Sequence, residues 1–266
     1  MTAAVVGLLI RRQRDLVRRS QMSLAHEIGV SPRHLSFVEL GKSRPSPKLL
    51  LAIAEHLDVP LRERNDWLLA AGYAPHYPET PLAGPRLARV RESLQALLDA
   101  HEPYPGVVVD RRWSVQLTNA AAARFSAGIP EGVRGSPTNI FRVSLHPDGL
   151  GGRTHNFAEW STYLLRQLDR AVTQTQDVEL AALAAEIATW PSIPDRRSWT
   201  RLLPVDQLNP VMPWRLRLDG EDLSLFTTMS TFGTPQDITL SELTVELFFP
   251  SDDITEAYLR RAPSSR

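Results

Sequence analysis

Arg33, His34, Ser36 and Phe37 lie within five consecutive positions, interrupted only by Leu35. Leu35 and Val38 are apolar positions three apart and must face inward on a helix, which leaves the other four projecting outward. That set suits the reading of a nucleic-acid duplex. Arg33 can donate two parallel hydrogen bonds to a guanine edge, and His34 and Ser36 can donate to bases or phosphates. Phe37 can touch a thymine methyl or, equally, pack onto the preceding helix. Gln21 opens the preceding helix, where its side chain and the backbone N–H groups can meet a phosphate. Ser31 opens the helix that carries Arg33 and joins the candidate contact set. Lys42 and Arg44, in the loop that follows, are candidate phosphate clamps; the competing reading of each is a solvated surface charge. Glu39 is expected to be structural, since an acid facing a duplex repels it.

Other chemistries find little support. The chain has no cysteine, which removes disulfides, thiolate metal sites, iron–sulfur clusters and cysteine nucleophiles. No GxSxG, P-loop, HExxH or GxGxxG occurs. The seven histidines show no metal-ligand spacing. His146-Pro147-Asp148-Gly149 with His155 is the most suggestive cluster, and a polar Pro-Asp-Gly turn explains it better. No catalytic residue, metal site or cofactor is expected.

The candidate reading residues need a scaffold, and the sequence supplies one. A first helix is expected over residues 4–17, with Leu9 and Leu16 seven apart. Ser20 is an N-cap for a second helix with Leu24, Ala25 and Ile28 on its inner face. Gly29 stands where a left-handed C′ residue is needed. Ser31-Pro32 is a cap followed by proline at the first helical position, and the third helix runs to about Leu40. Ser46-Pro47 repeats that start, with Leu50, Ile53, Ala54 and Leu57 at helical spacing. Pro60 opens a fifth helix ending near Gly72. Two short helices joined by a Gly-containing turn form a helix-turn-helix.

Charge follows the same division. Residues 1–48 hold nine basic side chains and three acidic ones, a balance of +6, so with 30 of each in the whole chain the remainder carries −6. A basic head on an acidic body points to an anionic partner for the head. The 266 residues suffice for two domains, and the composition is that of a globular protein, 42% hydrophobic and 23% charged. No apolar run is long enough to span a bilayer. The apolar stretch at 3–10 is followed by arginines, the reverse of a secretory signal. A cytoplasmic protein without membrane partners is expected.

Ser20, Gln21, Leu24, Ala25, Gly29, Val30, Ser31, Leu35, Glu39, Gly41, Arg44, Pro45 and Ser46 together resemble the Cro-type, XRE-family DNA-binding domain, over about residues 4–72. The resemblance implies a lambda repressor-like all-helical head whose partner is double-stranded DNA.

Residues 73–86 hold four prolines and read as a semi-rigid connector. A helix follows over 86–100, able to link the domains or pair with its copy. At 106–118 the period changes to two short strands around Arg111-Arg112, the second with Trp113, Val115 and Leu117 alternating. Helices return after Asn119 and over 157–172 and 177–190. Strands then form around Trp214-Leu216-Leu218, from Leu223 to Phe232 and from Leu243 to Phe249, with a hairpin turn at Asp219-Gly220. The fold class is therefore α+β: an all-α helix-turn-helix domain at 1–74, a linker and connecting helix at 75–100, and at 101–260 an antiparallel sheet of PAS-like order covered by helices.

The stretches 70–82, 101–123, 139–150, 156–160 and 231–255 resemble the ligand-binding domain of MmyB-like transcription regulators. That resemblance implies a PAS-like sensor whose interior holds a fatty-acid-like ligand. Such a cavity would lie between the apolar sheet face and the helices. Its candidate walls are Trp113, Val115, Phe125, Phe141, Leu145, Trp160, Leu164, Trp214, Leu216, Phe226 and Phe232. Each of these taken singly reads better as a core residue. All the tryptophans but Trp67 fall in this half, and Arg142 or Arg153 near the mouth is a candidate partner for a ligand carboxylate. The expected function is a homodimeric, sequence-specific transcription regulator sensing a small apolar ligand. The alternatives are a C-terminal domain that only dimerises or binds protein, and an enzyme fused to a DNA-binding head.

Overall fold

The computed structural model describes residues 2–198 and 211–261. The chain divides into two compact units, one of residues 1–84 with 232–241, the other of 85–231 with 242–266.

The first unit is built on five helices: α1 (Thr2–Leu16), α2 (Gln21–Glu27), α3 (Pro32–Glu39), α4 (Pro47–His56) and α5 (Leu61–Ala70). Ser20, Ser31 and Ser46 cap α2, α3 and α4, each hydroxyl accepting from the backbone N–H three residues on at 3.0–3.2 Å. Each cap is worth about 1 kcal/mol. Pro32 and Pro47 sit in the first turns, where no N–H is missed. The core gathers Val6, Ile10, Leu24, Ala25, Leu35, Val38, Leu50, Ile53, Leu57, Trp67 and Leu68. The inner face of α1 thus differs from the expected one. Val6 and Ile10 are buried, and Leu16 is 64% exposed. Two glycines set the α1–α3 approach. A Cβ on Gly7 would lie 2.5 Å from the Val38 carbonyl oxygen, and one on Gly41 2.6 Å from Ala4 Cα.

The stretch 75–100, expected as a linker and a connecting helix, is divided between the units. Asn65, buried on α5, donates to Tyr77 O and accepts from His76 and Tyr77 N–H at 2.8–3.0 Å. These bonds hold the proline-rich segment against α5. The short helix α12 (Ile238–Ser241) packs there too, with Ile238 N–H donating to Pro78 O at 2.8 Å. Helix α6 (Ala88–Ala100) packs instead on the sheet of the second unit.

That sheet is antiparallel, five-stranded and ordered β2-β1-β5-β4-β3, the PAS-like order. Its strands are β1 (Gly106–Val109), β2 (Val115–Thr118), β3 (Trp214–Leu218), β4 (Glu221–Thr231) and β5 (Thr244–Pro250). Trp113 falls in the turn rather than in β2, at φ 63°. Asp110 shapes that turn, accepting from the N–H groups of Arg112 and Ser114. Arg111 and Arg112 both pair with Asp177, the N-cap of α11 (Val178–Ala188). The remaining helices are α7 (Ala120–Ser126), α8 (Glu131–Arg134), α9 (Ile140–Leu145), α10 (Phe157–Thr175) and α13 (Asp253–Arg261). Helix α10 presents Trp160, Leu164, Leu165 and Leu168 to the core. Asn119 is buried with four hydrogen bonds, capping α7 and tying α6 to β1. Trp199 lies outside the described residues. No helix among the described residues is long and apolar enough to cross a membrane.

Candidate nucleic-acid interface and interior cavity

Leu35 and Val38 are wholly buried, and this fixes which face of α3 looks outward. Arg33 is exposed there, and Phe37 is 37% exposed. His34 and Ser36 are half-buried on the same helix. Phe37 does not disappear under α2. Two cations approach its ring, with Arg33 Cζ 5.4 Å and exposed Lys42 Nζ 5.9 Å from the centroid. Each such contact is worth about 0.5–1 kcal/mol at an exposed site. The arrangement presents two positive charges and one aromatic edge on a short capped rod. It can bond to phosphates and base edges and meet a methyl group.

Three expected contact residues have other engagements. Gln21 donates from Nε2 to Glu39 Oε2 at 2.9 Å, so its side chain turns inward rather than toward a phosphate. Ser31 spends its hydroxyl on the α3 cap. Arg44 is exposed but stacks over Tyr73, Cζ 4.2 Å from the centroid, and donates to Gly72 O at 3.0 Å. Glu39 is buried behind α3 and paired with Arg14, the structural role that its charge demanded.

In the second unit a cavity of about 330 Å³ opens between the sheet and α7, α9 and α10. Of the expected walls, it is lined by Val115, Phe125, Trp160, Leu164 and Trp214. The Trp160 and Trp214 rings stack at 5.4 Å, 10° from parallel. Trp214 Nε1 donates to Thr154 Oγ1 at 3.0 Å, which fixes the indole. The other six lie elsewhere. Phe141, Leu145 and Leu216 are completely buried in the packed core, and half-buried Trp113 tilts against Phe141 at 5.1 Å. Phe226 points to the opposite sheet face, where it stacks on its cross-strand partner Phe249 at 5.4 Å. Phe232 belongs to the segment grouped with the helical unit. Alternation along a strand identifies an apolar face but not where that face is packed and where it is hollow. Arg142 pairs with Glu186 at 2.5 Å, Arg153 is exposed, and neither borders the cavity.

Two polar wall residues escaped the sequence reading. Arg134, on α8, borders the cavity. Glu246 lies mid-strand in β5, directly opposite Val107, which itself pairs with Thr118. Directly opposed residues share a face, so the three form a row across the cavity floor. Glu246 is 5% exposed, and its carboxylate accepts from Thr227 Oγ1 at 2.9 Å. Burial pushes its pKa up to about 7, with the Thr227 bond working weakly the other way. An acid within TVELFFP was the available signal, since mid-strand acids on a core face are rare.

The histidine cluster separates. His146 sits edge-on to Trp190, whereas His155 bonds Asp222 at 2.8 Å. No group of three or more His, Cys, Asp and Glu that could hold a metal occurs among the described residues.

A helix-turn-helix head, followed in the chain by a sheet domain with an apolar interior cavity, defines a DNA-binding transcription regulator with a ligand-binding domain. Residues 10–64 match the family model described as helix-turn-helix, and residues 90–262 match that of the MmyB-like transcription regulator ligand binding domain. The second match covers more than half of the chain, and the chain belongs to that family. Both families are those of regulators rather than enzymes. No curated protein matches it.

Proposed function

We propose that this chain is a cytoplasmic, homodimeric regulator that reads an operator through α3 and takes a small apolar, fatty-acid-like ligand into the sheet-domain cavity. The cavity carries this reading. Its volume is in the range of ligand sites, and its wall is mostly aliphatic and aromatic with a few polar groups. A single short recognition helix makes too few contacts for tight specific binding. Two heads on half-sites about 10 bp apart, or a multiple, supply the remainder. The ligand can alter operator affinity only by binding one arrangement of the heads more tightly than another.

Comparing native with denatured mass of the freshly purified full-length chain tests both halves. Twice the chain mass plus a small apolar adduct is expected. A bare mass, together with failure to bind any added fatty acid, would overturn the ligand reading and favour a domain that only dimerises.

A further inference from the structure

The connection between β4 and β5 is longer than its task requires. Antiparallel neighbours are usually joined by about two to five residues. Here the connection runs over residues 232–243, and its stretch 232–241 belongs to the helical unit. The chain therefore passes between the units after Gly84, after Thr231 and again after Ser241, where a simple tether would pass once.

The excursion is fastened, and its two ends differ. Asp237 and Ile238 are buried, and α12 packs against α5. Asp237 Oδ1 accepts from the N–H groups of Thr239 and Thr80, and Ile238 N–H donates to Pro78 O. On the β4 side Gly233 and Thr234 are exposed. The β5 side has no slack. Ser241 N–H bonds Asp237 O at 3.0 Å, and the next residue, Glu242, pairs with Arg111 of the β1–β2 turn at 3.7 Å. Leu243 is buried, and β5 starts at Thr244.

Strand β5 also carries the cavity floor, since Glu246 and Phe248 line the cavity. At most about 18 Å of chain separates Glu246 from the fastened Ser241. Strands β4 and β5 pair without a bulge from Thr231 opposite Thr244 to Leu225 opposite Pro250, and Thr227 bonds Glu246 across them. A shift of the floor therefore moves both strands, and the taut end passes it on. Within the head, α5 packs on α1 and α4, and the Arg14–Glu39–Gln21 cluster holds α3 to α1 and α2. A displacement at α5 thus reaches the head as a body rather than α3 alone.

We propose that β5 and the segment 232–241 form the link through which occupancy of the cavity sets the placement of the DNA-reading head, with Asp237 as its clasp. This rests on the reading of the cavity as a fatty-acid-like ligand site and adds the route by which that site regulates. The ligand acts by binding one placement more tightly than another.

The test uses the whole chain, stripped of any co-purified amphiphile. It has no cysteine, so introduced ones can be labelled specifically. Spin labels at Glu55→Cys on α4 and Thr173→Cys on α10 occupy exposed positions. With labelled chain diluted in unlabelled chain, pulsed electron paramagnetic resonance reads the distance between the units. Calorimetry with the saturated fatty acids from decanoate to hexadecanoate selects the tightest binder as probe. Saturating probe should shift the distance distribution in the wild-type background. Two variants break the link differently: Asp237→Ala/Ile238→Ala opens the clasp, and a short glycine insertion between Ser241 and Glu242 adds slack while keeping every side chain. Each should still bind the probe, which shows a folded sheet domain, yet show no shift. If the probe binds the wild type without a shift, or the shift survives in both variants, the inference is wrong and the cavity reading stands. If no fatty acid of the series binds the wild type, the cavity reading itself fails and takes the inference with it.

Discussion

Arg14 closes a two-point ion pair on Glu39, Nε to Oε1 at 2.8 Å and Nη2 to Oε2 at 3.2 Å. The pair bolts α1 to the back of α3, and Gln21 adds a third bond to the same carboxylate from α2. One buried acid therefore joins three helices and turns its charge away from the reading face. The Arg14 side chain is only 13% exposed and that of Glu39 4%. Removing one partner strands the other charge.

Arg14→Ala should accordingly lower stability of the helical unit by about 3 kcal/mol, the usual effect of leaving a buried ion unpaired. Urea denaturation followed by circular dichroism reads this. Glu39→Gln should be milder, since an amide still bonds Gln21 and Arg14. Equal stability of Arg14→Ala and wild type would show that the pair holds nothing together.

On the outward face, Arg33→Ala should weaken operator binding by about 1–3 kcal/mol and relax preference at one base pair. Lys42→Ala should instead weaken all sequences alike and reduce the salt slope by about 1. Phe37→Ala removes the ring that both cations approach, so it should reduce affinity while leaving the melting transition nearly unmoved. Fluorescence anisotropy on operator and scrambled duplexes, at two salt concentrations, separates the three. Identical effects of Arg33→Ala on both duplexes would remove Arg33 from base reading.

Much of this head was legible because its signals are local. Ser20, Ser31 and Ser46 cap the helices that they announce, and Leu35 with Val38 fixes the orientation of α3. The bond from Gln21 to Glu39 was not legible, because a polar residue at a helix start carries no mark of its partner and Glu39 lies 18 positions away. In the sheet domain, alternation gave the strands but not which patches are hollow. Phe226 and Trp214 look alike in sequence. Only the pairing of Phe226 with Phe249 and the stack of Trp214 on Trp160 assign them to opposite faces. The proline count at 73–86 suggested a spacer, whereas Asn65 draws that stretch onto α5 through contacts that no local pattern encodes.

Asp237 holds the segment 232–241 on the helical unit. Its buried Oδ1 accepts from Thr239 N–H at 2.9 Å, at the start of α12, and from Thr80 N–H at 3.4 Å. Asp237→Ala removes the cap and a long-range bond together, a loss of about 1–2 kcal/mol. Amide exchange should accelerate at residues 78–80 and 238–241 and remain unchanged in α2 and α3. Uniform acceleration through the head would mean that the segment is integral to its core rather than fastened on.

Glu246 gives the ligand-free protein a pH signature opposite in sign to that of an ordinary salt-bridged acid. Its folded pKa is raised from 4.5 to about 7, so the folded state binds the proton more tightly than the unfolded chain does. Below pH 4.5 both states are protonated and the group is neutral to stability. Between 4.5 and 7 the unfolded chain releases its proton first, and stability falls as pH rises, reaching a deficit of about 3 kcal/mol above 7. Glu246→Gln lacks this titration while retaining a partner for Thr227. It should match the wild type near pH 4.5 and exceed it at pH 8. Chemical denaturation across that range decides the matter, and parallel curves for the two proteins would mean that Glu246 is not held in a dry environment in the folded protein.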